Sequence, residues 1–506
     1  MKYLILLTFA IGWVIAVKSQ PFYYFNKEYI YDTLNTGAPA CMPLPDGYLI
    51  AGPFGSYNFT SGIYVRKLSL AGDNKWFKYY FYGVHDIYTI EGEILAPTTD
   101  GNFILVSGVT STLNSGDGDI VMIKFDKNGN ALFTATIEQP ETHDTPGAVL
   151  SMPDSTYIIA GTKRKINDPV KEFYVLRTNA AGQKIWDTTL HTTKSGLGAS
   201  LDYGIDGGYI ASGYINPNSL QSTEMYVAKF NDQNKKEWEF LHGTPESDNG
   251  CHITKANDNT YLITGGLYSG EKKRCYIAKL SSEGSLLWEQ EYIIGAYPTS
   301  SQAVPRKMPG ENNGYIGCLL THNGLYNYYP VLIRYTEDGD TLWTKKIPGI
   351  DAFNDWYIKD IEPTYDGGFL LSGFNYTQQS SWVVKIDTLG ETCEYLGCFM
   401  SLYTGIENSP SLRGLGGVPT SAGLGAVTPN PAHQTATLTL NPNYTHLINQ
   451  GETLEIFNIQ GQLVKTIPLS SGGETTTFTT ANLISGIYYC RLQNHPEIEG
   501  VKMVLW

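Results

Sequence analysis

Several histidines of this chain could do acid–base chemistry. They are His143 beside Asp144, His242, His252 and His322. None of them falls in an H-E-x-x-H, G-x-S-x-G or phosphate-binding glycine pattern, which are the arrangements that place such groups for catalysis. We therefore expect solvated loop histidines, and the sequence predicts no catalytic, cofactor-binding or metal-binding residue.

Tyrosine and asparagine recur in a second group of segments, and these residue types suit recognition. A rigid aromatic side chain supplies contact area, and an amide supplies adaptable hydrogen bonds. Short acidic stretches, among them Asp248-Asn249 and Asn354-Asp355, are expected to lie on the same face of the protein as these segments. We expect this face to bind a glycan, a peptide or a surface protein. The candidate residues are Tyr57, Phe59, Tyr214, Tyr268, Tyr326, Tyr328, Tyr329 and Tyr376.

The elements that would position these segments belong to a repeat. Its clearest copy starts at the turn Asp206-Gly207-Gly208, runs through an apolar stretch to Gly213, and closes at Trp238. A period of about 50 residues with four short strands in each unit is typical of a β-propeller blade. The sequence predicts an all-β chain with a seven-bladed β-propeller over residues 20–399. The other copies of the apolar stretch end at Gly52, Gly108, Gly161, Gly265, Cys318 and Gly373.

A large aromatic residue follows the second turn of most units. Five hairpin glycines have it four residues later, and Trp238 follows Asn234 at the same interval. Such a side chain most simply packs between neighbouring blades. Because a closed set of blades must join its ends, we expect residues 22–30 to complete or flank the blade that begins near Trp356. The five pairs are Gly72 and Trp76, Gly129 and Phe133, Gly182 and Trp186, Gly284 and Trp288, and Gly339 and Trp343.

The composition limits the partners of this protein, and its first residues indicate export from the cytoplasm. The net charge of −14 and a pI of about 5.1 disfavour nucleic acid and anionic lipid as partners. Residues 1–19 have the charged start and short apolar core of a secretory signal peptide, and no transmembrane segment is expected in the mature chain. Export permits disulfides, for which Cys393 with Cys398 is the best candidate and Cys251 with Cys275 the second.

The chain changes character after the repeats. Residues 400–427 are rich in Ser, Gly and Pro and predict a flexible linker. Residues 428–506 alternate polar and apolar positions over four segments, which predicts a small Ig-like β-sandwich. Its predicted strands cover residues 435–440, 453–458, 475–480 and 486–492.

Three ordered motifs in this tail resemble the type A C-terminal sorting domain of the type IX secretion system of Gram-negative bacteria. They are Pro429-Asn430-Pro431-Ala432, the segment 454–464 that contains Gly461, and Leu483 to Tyr489 with Gly486-Ile487-Tyr488 at its centre. The resemblance implies passage to the periplasm, handling by the outer-membrane secretion machinery, and release from the cell or attachment to its surface.

The repeats resemble those of secreted bacterial propeller proteins and, distantly, the blades of pyrroloquinoline-quinone dehydrogenases. Propellers host many functions, so this resemblance bears on the fold. The sequence favours a binding or interaction module. A quinoprotein-like or other propeller enzyme is the first alternative, and a purely structural surface protein is the second.

Overall fold

The computed structural model divides the chain into two compact units, residues 1–307 with 314–405, and residues 308–313 with 406–506. Its described residues form strands and turns and no helix, so they include no apolar helix of membrane-spanning length. The predicted signal peptide lies outside them. The described residues are 23–29, 35–37, 40–55, 61–80, 87–88, 93–110, 118–139, 141–190, 196–216, 223–246, 248–256, 258–269, 272–292, 297–301, 305–309, 314–322, 327–347, 355–393, 425–428, 435–440, 452–458, 463–470, 475–483, 486–494 and 501–505.

The first unit consists of short antiparallel strands in chain order. They are β1 (Phe25–Tyr29), β2 (Asn35–Thr36), β3 (Ala40–Leu44), β4 (Gly47–Gly55), β5 (Ser61–Leu68), β6 (Asn74–Tyr80), β7 (Ile87–Tyr88), β8 (Leu95–Pro97), β9 (Phe103–Thr110), β10 (Gly118–Phe125), β11 (Ala131–Ile137), β12 (Thr142–Ser151), β13 (Tyr157–Lys165), β14 (Lys171–Thr178), β15 (Lys184–Leu190), β16 (Gly196–Tyr203), β17 (Tyr209–Ile215), β18 (Glu224–Phe230), β19 (Lys236–His242), β20 (Asn249–Lys255), β21 (Tyr261–Ser269), β22 (Lys272–Leu280), β23 (Leu286–Tyr292), β24 (Tyr297–Ser301), β25 (Arg306–Lys307), β26 (Tyr315–His322), β27 (Tyr328–Tyr335), β28 (Thr341–Lys346), β29 (Trp356–Pro363), β30 (Phe369–Asn375) and β31 (Ser380–Ile386).

These strands repeat one antiparallel meander, whose first strand is divided into two segments in meanders 1, 2 and 6. We number the meanders 1 to 7 by the first-strand segment beside the first turn, which is β3, β8, β12, β16, β20, β25 and β29 in turn. Meanders 2 and 3 share one nine-stranded sheet, joined by a single parallel bridge from Gly118 to His143. Apolar residues of the first three strands of each meander form the buried core.

Meander 7 takes its fourth strand from the other end of the chain. Strand β1 pairs with β31 from Phe25 opposite Lys385 to Tyr29 opposite Ser381. The indole Nε1 of Trp382, which is fully buried, donates to Asn26 Oδ1 at 2.7 Å. The predicted completion of this sheet by residues 22–30 is therefore confirmed for β1.

The recurring Asp and Lys or Arg of the repeat neutralise each other. In five meanders the Asp of the first turn forms an ion pair with the basic residue of the third strand, and in meander 4 Lys229 pairs with Glu237 instead. Since each pair lies inside its own meander, these charges serve the repeat itself. The pairs are Lys67 with Asp46, Lys124 with Asp100, Arg177 with Asp154, Lys279 with Asp258, and Lys385 with Asp366, at 2.6 to 3.0 Å.

The repeated aromatic residue contacts the next meander, as the sequence predicts. A Cβ on Gly284 would lie 2.5 Å from the ring of Trp238. Corresponding contacts place Gly339 against Trp288 and Gly390 against Trp343. Gly72 of meander 1 packs against Phe25 of β1 in the same way. Meander 7, to which β1 belongs, therefore contacts meander 1 through the same pairing of a hairpin glycine with an aromatic ring.

This packing predicts different costs for two glycines with the same backbone conformation. Gly284 has φ of +81° and faces Trp238, whereas Gly101 has φ of +77° and nothing within 4 Å of its missing Cβ. Replacing Gly101 with Ala should cost about 1 kcal/mol from the left-handed backbone alone. Gly284→Ala should cost clearly more, about 2–4 kcal/mol, because overpacking is added. Urea unfolding of both variants measures this, and equal losses would contradict it.

The second unit contains two antiparallel sheets over one buried core. Three of the four predicted strands appear with the predicted bounds, and the fourth ends one residue earlier. β32 begins inside the segment predicted as a linker, which otherwise lies outside the described residues. One sheet has the order β32-β33-β36 and the other β35-β34-β37-β38. The strands are β32 (Gly425–Thr428), β33 (Thr435–Leu440), β34 (Thr453–Asn458), β35 (Leu463–Pro468), β36 (Thr475–Thr479), β37 (Gly486–Leu492) and β38 (Val501–Leu505).

One cysteine prediction is wrong, because Cys251 and Cys275 are buried free thiols. Cys251 lies opposite Gly265 on one side of β21, and Cys275 lies opposite Gly266 on the other side. Adjacent residues of a strand point to opposite faces, so the two thiols cannot meet. Cys393 is disulfide-bonded. Its predicted partner, Cys398, lies outside the described residues, so that pairing stays a prediction.

Candidate ligand-binding cavity

One position of the first strand is equivalent in all seven meanders. It pairs with the residue that follows the buried aromatic at the start of the second strand, for example Asp202 with Ile210 after Tyr209. We call the residues at this position the inner set. They are Met42, Ala96, Leu150, Asp202, Thr254, Arg306 and Glu362.

All members of the inner set line a single cavity of about 520 Å³. Every meander thus contributes its first strand to one site. Four of the seven residues are uncharged, and the three charged ones belong to meanders 4, 6 and 7. Further lining residues are Glu93 and Asp360 together with apolar side chains such as Leu95, Val149 and Leu201.

Arg306 is the centre of charge in this cavity. Its Nη2 contacts Glu362 of meander 7, lies 3.1 Å from Glu93 Oε1, and lies 3.7 Å from Asp360 Oδ1. Its side chain is 13% exposed and that of Asp360 is 6% exposed. A guanidinium that is nearly buried among carboxylates satisfies the general rule that buried charges are paired.

Glu93 reaches from the start of meander 2 to two other meanders. Its Oε2 accepts a hydrogen bond from Ser200 Oγ at 2.9 Å and one from the Leu201 N–H at 3.3 Å, both on β16. Its other carboxylate oxygen is the one that faces Arg306 of meander 6. This single side chain therefore fixes the lining residues of β16 and β25 relative to each other.

The acids of the cavity outnumber its bases. Glu93, Asp202, Asp360 and Glu362 share the single cation of Arg306 among the lining residues. Burial raises the pKa of Asp360 and of Glu362, and Arg306 opposes that rise only in part. Burial also raises the pKa of Asp202, while the backbone N–H of Lys255 favours its charged form. The cavity is thus an acidic site with incomplete internal neutralisation.

Two buried atoms among the charged residues that line the cavity have no hydrogen-bond partner. They are Oδ1 of Asp360 and Nε of Arg306. Asp360 as a residue is only 4% exposed, and its other oxygen, Oδ2, accepts from the Cys41 N–H at 3.0 Å. Buried polar atoms normally have a hydrogen bond, and the closest cation to Asp360 Oδ1 is Arg306 Nη2, at ion-pair distance (3.7 Å) rather than at hydrogen-bond distance.

The aromatic candidates predicted from the sequence lie elsewhere. Within meander 4, Asp202 pairs with Ile210 beside the first turn, whereas Tyr214 pairs with Leu197 at the other end of the strands. Along β17 these positions are four residues apart, which corresponds to roughly 13 Å. Tyr214 and the cavity residue Asp202 therefore lie at opposite ends of meander 4.

The structure brings together only some of these candidates. Tyr328 stacks on Tyr357 of the next meander at 5.9 Å between ring centres, and Tyr329 lies beside Lys346. Tyr214 is on β17, Tyr268 is on β21, and Tyr376 follows β30 with 60% exposure. Tyr57, Phe59 and Tyr326 lie outside the described residues.

The acidic residues near those aromatics bind the backbone. Asp248 accepts from the Tyr268 N–H at 2.7 Å, and Asp355 accepts from the Tyr328 N–H at 2.9 Å. Asp248 and Asp355 therefore lie beside two of the aromatic candidates. The histidine prediction is wrong in one respect: His143, His242, His252 and His322 all lie on strands, since the strands are longer than their apolar segments.

The sorting-domain motif residues are distributed over described and undescribed parts of the second unit. Gly486, Ile487 and Tyr488 belong to β37, and Tyr488 is buried in the core between the two sheets. Pro429, Asn430, Pro431 and Gly461 lie outside the described residues.

Comparison with solved structures gives neighbours of low similarity. A crystal structure of a protein of unknown function from Bacteroides caccae is 11% identical, with 62% of this chain and 93% of that one covered and a TM-score of 0.35. A protein of unknown function from Dyadobacter fermentans is 12% identical, with coverages of 64% and 97% and a TM-score of 0.39. Curated proteins gave no match.

A family model matches the second unit. It is described as the secretion system C-terminal sorting domain, and it covers residues 426–505. This match agrees with the resemblance of the tail motifs and bears on about a sixth of the chain. Through this domain, the chain is exported by the type IX secretion system to the cell surface or the extracellular space.

Proposed function

We propose that the first unit is a seven-bladed β-propeller that binds a ligand in the cavity between its first strands, outside the cell or on its surface. The observation that carries this proposal is that equivalent residues of all seven meanders line one cavity. Four-stranded sheets whose first strands surround a shared channel are the arrangement of a propeller. Concave sites with a few convergent polar groups are where ligands usually bind.

Two contacts support closure of the seven meanders into one body. Strand β1 completes meander 7, and its Phe25 packs on Gly72 of meander 1. A closed set of sheets protects its edges and gives a rigid site, because each first strand is held by its own meander and by both neighbours.

A binding screen with paired variants tests this function. The exported protein without its sorting domain is applied to glycan and peptide arrays, together with Met42→Trp and Tyr376→Ala. Met42 lines the cavity and is only half-buried, so a larger side chain can extend into the cavity. Tyr376 reports on the aromatic face at the opposite end of the meanders.

We expect at least one ligand whose binding Met42→Trp weakens by tenfold or more and Tyr376→Ala leaves unchanged. The reverse result would move the site to the predicted aromatic loops. If the wild type binds no ligand on any array, the binding function itself fails. Thermal unfolding of both variants controls for loss of the fold.

Acid–base catalysis is a second candidate function, and one observation favours it. Asp360 and Glu362 are neighbouring carboxyl groups with raised pKa values in a cavity, as catalytic acids often are. The same ligand screen separates the two functions, because a catalyst converts a bound ligand into a product that mass spectrometry detects.

A further inference from the structure

We infer that the cavity binds an alkylammonium group, the cationic head and aliphatic stem found in a lysine side chain or a simple amine. This inference rests on the proposed function, since it requires the cavity to be the binding site. It specifies the chemistry of the ligand from three features of the lining: its charge surplus, a buried carboxylate oxygen that has no hydrogen bond, and its apolar walls.

The charge surplus favours a cation. Four acidic side chains and one basic side chain line the cavity, so up to three negative charges have no counterpart within it. The Nη2 atom of Arg306 already contacts carboxylates of Glu93 and Glu362, while its Nε has no hydrogen bond. An anionic ligand at Nη2 would have to displace these carboxylates, whereas a cation relieves the repulsion among the acids.

The carboxylate oxygen without a hydrogen bond, which lies 3.7 Å from Arg306 Nη2, is the place proposed for the cation. Asp360 Oδ1 is the buried carboxylate atom without a hydrogen bond in this group, and Glu362 is two residues further along the same strand face. An ammonium group carries three N–H donors and no acceptor. It can therefore serve Asp360 and still donate to Glu362 or Asp202.

The apolar walls distinguish an alkylammonium from a bare metal ion. Leu95, Val149, Leu150 and Leu201 line the same cavity as the acids. An aliphatic stem would cover part of this surface, at about 25 cal/mol for each Å² removed from water. A metal ion would leave that surface uncovered. The volume of about 520 Å³ also exceeds what one small ion fills.

Calorimetric titration of the exported protein tests the inference with four probes. Hexylamine and Nα-acetyl-lysine methylamide carry the proposed group, and they distinguish a free amine from a peptide side chain. 1-Hexanol and the Nε-acetylated lysine derivative are their neutral counterparts. We expect both cationic probes, or one of them, to bind at least tenfold more tightly than its neutral counterpart.

Isosteric variants locate the bound group. Asp360→Asn and Glu362→Gln should each weaken binding of the cationic probe by about tenfold, because each removes a charge partner worth about 1.4 kcal/mol. Asp338→Asn, in an exposed turn of meander 6, should have no effect. Glu362 is only partly buried, so its variant keeps the test valid if Asp360→Asn does not fold.

The pH dependence supplies an independent readout. The charged neighbours of Glu362 in the cavity are Arg306, Asp360 and Glu93. Asp202 also lines the cavity, and the backbone N–H of Cys41 binds Asp360. Since a raised carboxyl pKa keeps part of the site protonated near neutral pH, cation binding should strengthen as pH rises from about 5 to about 8.

The possible outcomes separate the two proposals. If a ligand from the arrays binds in the cavity but the neutral probes bind as tightly as the cationic ones, the alkylammonium inference fails and the binding function stands. The inference also fails if both isosteric variants fold and retain full affinity for the cationic probe. If Met42→Trp weakens the binding of none of the ligands that the wild type binds, the cavity is excluded as the binding site.

Discussion

Removing residues 20–30 should abolish the folded monomer of the first unit. This segment supplies β1, whose Phe25 is fully buried and whose Tyr29 is 7% exposed. Burial of two such side chains contributes about 1.5–3 kcal/mol each, and the backbone pairing with β31 is lost as well. The exposed edge of β31 would then invite pairing between molecules. Size-exclusion chromatography and circular dichroism of the truncated protein measure the effect.

Two point variants on the same strand sharpen that expectation. Asn26→Ala leaves the buried indole N–H of Trp382 without its acceptor and should cost about 1–3 kcal/mol. Lys27→Ala removes an ion pair with the exposed Asp73 and should cost less than about 1 kcal/mol. A truncated protein that remains monomeric with the stability of the full chain would show that β1 does not close the sheets.

The pairing of β1 with β31 was predictable because local signals determine it. The segment 22–30 is an apolar strand without a unit of its own, and the last unit has Cys393 in place of the usual aromatic. Similar local signals predicted the strands of the second unit and the packing of Trp238 on the next meander. In each case, the residues that make a contact also show the periodicity or turn chemistry that identifies it.

The cavity could not be predicted in the same way. Its residues come from seven strands, and each contributes a side chain that matters only once all first strands converge. Asp202 and Glu362 both lie four residues before the turn Asp of their units, at Asp206 and Asp366, where other units carry Met42 or Ala96. That variation between apolar and charged residues was a usable signal. This signal does not identify Arg306, because its unit has Asn312 in place of the turn Asp and the spacing is no longer four residues.

The variable parts of the repeat include both its loops and one position on the first strand. Loops after the second strand vary in length and are rich in Tyr and Asn, so they attract attention. The inner set varies at one fixed strand position, which is less conspicuous in a sequence. Strand positions also provide a more rigid site than loops do. The aromatic face therefore stays a prediction, and the cavity is the site with structural support.

Replacing Arg306 with Met should lower the free energy of unfolding by about 3–5 kcal/mol near pH 8, since it leaves buried carboxylates without their shared cation. The cost should shrink as pH falls. Asp360 and Glu362 already have raised pKa values in the native state, so the native protein binds more protons than the unfolded chain between the ordinary and raised values. Stability contributed by these acids therefore falls as pH rises through that window, and loss of Arg306 steepens the fall.

Urea unfolding at about pH 5 and about pH 8 measures the difference for wild type, Arg306→Met and the double variant Arg306→Met/Glu362→Gln. Glu362→Gln should recover part of the loss at the higher pH only, because it removes one of the charges that Arg306 neutralises. Equal losses at both pH values, with no recovery in the double variant, would mean that Arg306 contributes packing alone. A pH-dependent loss would instead show that the acids of the cavity are held charged against their own repulsion, the condition under which a cationic ligand gains most by binding.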